Sequence, residues 1–233
     1  ALLLDSSNLH FHSDLQLAKK YSDSAKSLAL ISGSDSLIAV ALDQEALIMR
    51  EYGEWDKAIV LFDRALRIRM EQGWQKDIGQ SFIHIGNLYL REGEMFELGS
   101  KFSQSDSSYS LALKNYKYGF NYFTSHDSIL RARAFSNIGT AFYRLYQHDS
   151  ALVFLKNASN LFAMLNGSGS HFTTEVSSVR TNLGIIFNTI GSQDSAAYYY
   201  RLARKSFIKI NDLKNWANVN INIAGLYEKT NPQ

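Results

Sequence analysis

The sequence predicts an all-α fold made of repeated helix pairs, and three observations predict it. A single proline interrupts 233 residues, so long helices run unbroken. A small residue set among apolar neighbours recurs in EALIM (45–49), IGNLY (85–89), IGTAF (138–142), LGIIF (183–187) and IAGLY (223–227). Its positions, Ala46, Gly86, Gly139, Gly184 and Ala224, are separated by 40, 53, 45 and 40 residues, the period of a two-helix repeat. Finally, Ala58, Ala151 and Ala196 each follow their small residue by 12 positions and open a second apolar face.

Taken in order, residues 1–33 form an N-terminal helical element, with Leu15, Ala18, Tyr21, Ala25, Leu28 and Leu30 supplying apolar contacts. Repeat 1 spans 34–73. Its second helix carries Ala58, Phe62 and Ala65 at spacings of four and three, one helical face. Repeat 2 spans 74–123 and departs from the pattern, because Ser108 stands where the alanine is expected, ten residues late. The additional segment 94–104 is either a lengthened first helix with a loop or a projecting element. Repeat 3, 126–166, carries Ala151, Leu155 and Ala158, and repeat 4, 171–211, carries Ala196, Tyr200 and Ala203. Residues 213–230 supply the first helix of a truncated repeat 5. Asp-Ser or Ser-Asp pairs at 22–24, 35–36, 106–107, 127–128, 149–150 and 194–195 are expected to start helices, since their oxygens accept from free amides. The stretch 166–171 is expected to be a linker, and the whole reads as one solenoid over 1–233. Small residues on both helices let the backbones approach closely, and the large residue a turn later fills the space beside them.

Composition narrows the chemistry. An apolar content of 45% is ample for a core, while 24 basic against 22 acidic residues, without long runs of one sign, leave a net charge of +2 and nothing that suggests bulk nucleic-acid binding. No cysteine is present, so disulfides, thiolate zinc sites and cysteine nucleophiles are excluded. No run approaches the roughly 20 apolar residues of a membrane span. The start at Ala1 and the truncated fifth repeat read as the boundaries of a piece of a longer protein.

No catalytic or metal-binding pattern emerges. His10 and His12 are two apart, which on a helix turns them about 200° from one another. The glycine-serine run at 167–170 lacks the lysine of a phosphate loop. No serine sits in a strand-to-helix elbow. The expectation is a non-enzymatic segment without cofactor or metal.

These residues, and GEWDKAI (53–59) in particular, resemble the tetratricopeptide repeat family in its longer variant of about 40 residues per repeat. The resemblance covers 34–230 and implies a right-handed superhelical solenoid of antiparallel helix pairs whose first helices line a concave groove. A residue two before the small one lies about 200° round the helix, away from the partner helix. Those positions hold Gln44, His84, Asn137, Asn182 and Asn222. All five are hydrogen-bonding side chains, and three are asparagines, whose amides can donate to and accept from an extended backbone. They look like the asparagine ladder of some peptide-binding solenoids; the alternative is a solvated polar face. Further along the stripe come Arg133, Glu51, Arg91, Arg144, Thr189 and Lys229, so the groove's middle is basic. With Asn87 this partly resembles the carboxylate clamp of related repeats, though repeat 4 offers no lysine.

The resemblance extends to extracytoplasmic regions of membrane-bound bacterial regulators with a histidine kinase or DNA-binding output. It implies a sensor or adaptor that binds a protein or peptide, an anionic one by the arginines, with a periplasmic or extracytoplasmic location favoured. A self-association module, through Tyr198, Tyr199 and 218–229, and a cytoplasmic peptide-pheromone receptor are the alternatives.

Overall fold

The computed structural model describes residues 14–167 and 172–230, without the side chains of 166–167 and 228–230. His10, His12 and residues 168–171 of the expected linker lie outside the described residues, as does the Lys229 side chain. Ten α-helices are described: α1 (Leu15–Ser32), α2 (Asp35–Glu51), α3 (Trp55–Glu71), α4 (Gln75–Leu98), α5 (Phe102–Asn121), α6 (Ser128–Arg144), α7 (His148–Gly167), α8 (Thr173–Thr189), α9 (Gln193–Lys209) and α10 (Leu213–Thr230). The described residues include no strand.

The chain forms two compact units, one over residues 1–123 and one over 124–233. In the first, α2 pairs with α3 and α4 with α5, while α1 packs on α2. In the second, α6 pairs with α7 and α8 with α9, and α10 packs on α9.

The pairs close through turns of one construction. Three residues link the helices, and the middle one is left-handed: Gly53, Ser100, Tyr146 and Gly191, with φ of 76°, 57°, 58° and 79°. The next amide donates back to a carbonyl five residues earlier: Glu54 to Met49, Lys101 to Phe96, Gln147 to Phe142 and Ser192 to Phe187. This is the bonding that satisfies orphan carbonyls at a helix end.

The small residues do what their spacing predicts. Ala46, Gly86, Gly139 and Gly184 are buried, and each of the three glycines lies under a large side chain of the partner helix. A methyl group on Gly86 would sit 2.6 Å from the Tyr116 ring, one on Gly139 2.6 Å from Leu155 Cγ, and one on Gly184 2.5 Å from the Tyr200 ring. The aligned alanines Ala58, Ala151 and Ala196 are fully buried. On α10, by contrast, Ala224 is exposed and Gly225 has no neighbour within 4 Å, since no second helix covers it among the described residues.

Three sequence expectations are corrected. In the second pair the equivalent of the aligned alanines is Ala112, not Ser108: Gly86 faces the Ala112 carbonyl as Gly139 faces that of Ala151. Helix α4 runs seven residues further past Gly86 than α2, α6 and α8 run past their small residues, and α5 begins seven residues earlier before Ala112 than α3 does before Ala58. Seven residues are close to two full turns, about 10 Å, so both arms lengthen without rotating their apolar faces. The hairpin keeps its register, and Gly93 against Tyr109 repeats the small-against-large contact in the extension. Second, the pairs at 22–24 and 106–107 lie inside α1 and α5 rather than at helix starts. The real caps there are Asp14, whose carboxylate accepts from the Leu17 amide, and the backbone of Lys101. Third, α1 buries Ala18, Ser22, Ala25 and Ala29, while Leu28 and Leu30 are each 56% exposed.

Candidate functional site

The faces to examine are those that the first helices α2, α4, α6, α8 and α10 turn away from their partners. The nine candidate residues divide between the units. Gln44, His84, Asn87 and Arg91 belong to the first, on α2 and α4; Arg133, Asn137, Arg144, Asn182 and Asn222 belong to the second, on α6, α8 and α10.

In the first unit Asn87 is tied into the fold. Asn87 accepts a hydrogen bond of 2.9 Å from the Tyr116 hydroxyl, which binds it to α5. Burial, and then the nearby Glu94 charge, push the Tyr116 phenol well above its usual pKa, so it stays protonated as the donor. Arg91 is exposed and pairs with Glu94 on its own helix at 2.8 Å. His84 is half-buried, its ring tilted on Phe62 at 5.8 Å and its Nδ1 3.7 Å from Asp43 Oδ2. Gln44 is half-buried, and its Oε1 is shut from solvent without a partner.

Behind His84 lies a cluster that the sequence reading did not identify. Arg69 of α3 donates from Nη1 to Asp43 Oδ1 at 3.2 Å and to Ser81 Oγ at 2.7 Å, and from Nη2 to Asp43 Oδ2 at 2.6 Å. The cluster joins α2, α3 and α4. Burial pushes the Asp43 carboxyl up, but the contacts from His84 and Arg69 outweigh it and hold its pKa below the ordinary carboxylate value. A signal was present: Arg69 continues the core-facing stripe of Ala58, Phe62 and Ala65, and Asp43 lies one turn before Ala46. A charge of each sign in core phase on neighbouring helices predicts a buried pair.

The second unit holds the other five candidates. Arg133 of α6 bridges to Glu175 of α8 at 3.3 Å, and Asn137, Asn182 and Asn222 are all half-buried. Arg144 and Asn182 line a cavity of about 100 Å³ between α6 and α8. Thr140, Tyr143, Ile185 and Ile186 complete its walls, and Leu155 of α7 is its floor. Apolar walls with polar groups at the rim suit a side chain carried on a backbone. Among the described residues, no group of three or more histidine, aspartate and glutamate side chains could hold a metal ion, and no helix is long and apolar enough to cross a membrane.

By sequence, no family model and no curated protein matches this chain. Solved structures do. BtubC from P. vanneervenii aligns with a TM-score of 0.57 at 19% identity, over 88% of this chain and 78% of its own. RapI aligns at 0.64 and 12% identity, over 97% of this chain and 57% of its own. A Signal Transduction ATPase with Numerous Domains from Pyrococcus horikoshii, which carries a tetratricopeptide repeat sensor, aligns at 0.60 and 16% identity. That match covers 97% of this chain and 35% of the ATPase. The fold is the tetratricopeptide-type helical repeat. The chain spans just over half of RapI and about a third of the ATPase, and at these identities the likeness is one of fold.

Proposed function

We propose that this chain is a non-catalytic scaffold that binds a protein or peptide on the exposed faces of its first helices, as the sensor or adaptor region of a larger bacterial signalling protein. The observation that carries the reading is the face of α6, α8 and α10. There half-buried Asn137, Asn182 and Asn222 hold the same position in each repeat, and a cavity opens beside Asn182. One amide per repeat is the spacing at which an extended backbone can be met by side chains that both donate and accept. The fold shared with the sensor of the Pyrococcus ATPase supports the sensor role. Arg133 and Arg144 favour an acidic partner, and an extracytoplasmic location accords with the reading.

The test is capture of partners from the native source by the wild type and by Asn137→Ala, Asn182→Ala, Asn222→Ala combined, once both are shown to fold. A partner held by the wild type and lost by the variant supports the binding face. Identical captures sink it and favour self-association, which a concentration-dependent mass would show.

A further inference from the structure

The residues that cover the small positions are not alike. Tyr116 covers Gly86 and Tyr200 covers Gly184, and Phe62 follows Ala46 by the same 16 residues that separate Tyr200 from Gly184, within one core cluster with it; all three are 1% exposed or less. At the equivalent place in the third pair, Leu155 covers Gly139. An aliphatic chain stands where the other three pairs have an aromatic ring, and that is where the cavity of about 100 Å³ lies, with Leu155 as its floor.

We propose that this cavity is a socket for one branched aliphatic side chain, of valine, leucine or isoleucine, projecting from the partner's backbone. Size favours the occupant: an engineered cavity of about 150 Å³ takes benzene, and a space of about 100 Å³ suits an isopropyl or isobutyl group better than an indole. Chemistry agrees, since Leu155, Ile185 and Ile186 line it with methyl groups, with Leu155 and Ile186 buried, while Thr140, Tyr143, Arg144 and Asn182 add polar groups to the lining that can meet the backbone that carries the side chain. The register agrees as well. Asn182 holds the ladder position of α8 and lines the socket, so a backbone bonded there brings its own side chain to the opening. The inference deepens the reading of this face as a peptide-binding surface, yet the two fail separately, because the socket is tested without any partner.

The experiment is methyl NMR of the full chain with labelled isoleucines, titrated with N-acetyl-leucinamide, N-acetyl-glycinamide and N-acetyl-tryptophanamide. One aliphatic group in a small pocket binds with a dissociation constant of about 1–10 mM. Saturable shifts of the Ile185 and Ile186 methyls are expected with the leucine compound alone. Leu155→Tyr restores the ring that the chain itself places at 116 and 200, so it suits the fold; it should fill the socket and abolish the shifts. Thr140→Leu closes it from the rim and guards against misfolding of the first variant. No saturable shift in the wild type would overturn the proposal, as would equal shifts with the tryptophan compound or undiminished shifts in both variants.

Discussion

Arg69 grips Asp43 through both carboxylate oxygens, at 3.2 and 2.6 Å, with both side chains 8% exposed. Two charges removed from water are tolerated only while each satisfies the other, and Ser81 takes a further guanidinium proton. Because the three partners lie on α2, α3 and α4, the cluster fixes the first helix pair to the next. Replacing Arg69 with methionine strands the Asp43 carboxylate and is expected to cost about 3–5 kcal/mol. Asp43→Leu combined with Arg69→Met should recover most of that loss. Urea unfolding of the single and double variants measures both.

The same pair sets a pH dependence. The folded-state pKa of Asp43 is held below its unfolded value, so its stabilisation is fully present above the unfolded value of about 3.9 and is lost as pH falls through the folded one. Wild-type stability should therefore decline more steeply below about pH 4 than that of Asp43→Asn, whose side chain does not titrate. Thermal unfolding from pH 3 to pH 7 compares the slopes; parallel curves would remove Asp43 from the account.

How far the sequence discloses the fold depends on which force set each residue. Gly86, Gly139 and Gly184 are legible because a helix forced into close contact admits only a small side chain, and contact repeats with the fold. The second pair was misaligned at Ser108 because a seven-residue extension of each arm preserves the apolar phase, leaving several small residues on α5 that fit equally well. The site was legible only in part. Asn137, Asn182 and Asn222 declare themselves by recurrence, but the socket depends on the ring that Leu155 lacks, which emerges only once 62, 116, 155 and 200 are known to be equivalent. Asn87 resembles a clamp residue in sequence, whereas in the structure its amide oxygen accepts from the Tyr116 hydroxyl of α5, a partner the sequence does not disclose.

Glycines of the same chain should respond oppositely to alanine. On Gly119 a methyl group would lie 2.7 Å from the Gly79 carbonyl oxygen, a backbone atom of the facing helix, and Gly119→Ala should destabilise by about 1–3 kcal/mol despite alanine's better helix propensity. Gly225, also helical, has nothing within 4 Å, so Gly225→Ala should gain about 0.5–1 kcal/mol. Chemical denaturation of the two variants reads the difference in sign.

Tyr146 occupies the left-handed position of the α6–α7 turn at φ 58°, where the α2–α3 and α8–α9 turns have Gly53 and Gly191. A side chain there costs roughly 1–2 kcal/mol, and Tyr146 is 70% exposed, its ring meeting His148 edge-on among the described residues. Tyr146→Gly is therefore expected to raise the melting temperature by a few degrees, as a gain of about 1 kcal/mol does in a chain of this size. A lowered melting temperature would mean that the ring contributes more through His148 than its exposure suggests.

The lengthened hairpin makes the register argument directly testable. Removing 92–98 and 102–108 together takes two turns from each arm, leaves the turn 99–101 in place, and brings Tyr109 to the position of Trp55, three residues before the aligned alanine. Because every remaining apolar residue keeps its face, this variant should fold with its helical signal reduced only in proportion to length and with a sharp thermal transition. Removing 94–104 instead deletes the turn and eleven residues, which is not a whole number of turns on either arm, so the stubs of α4 and α5 are left without a means of reversing direction. That variant should lose cooperative unfolding. Circular dichroism melts of the two deletions separate the cases, and equal behaviour would show that the arms are held by something other than their register.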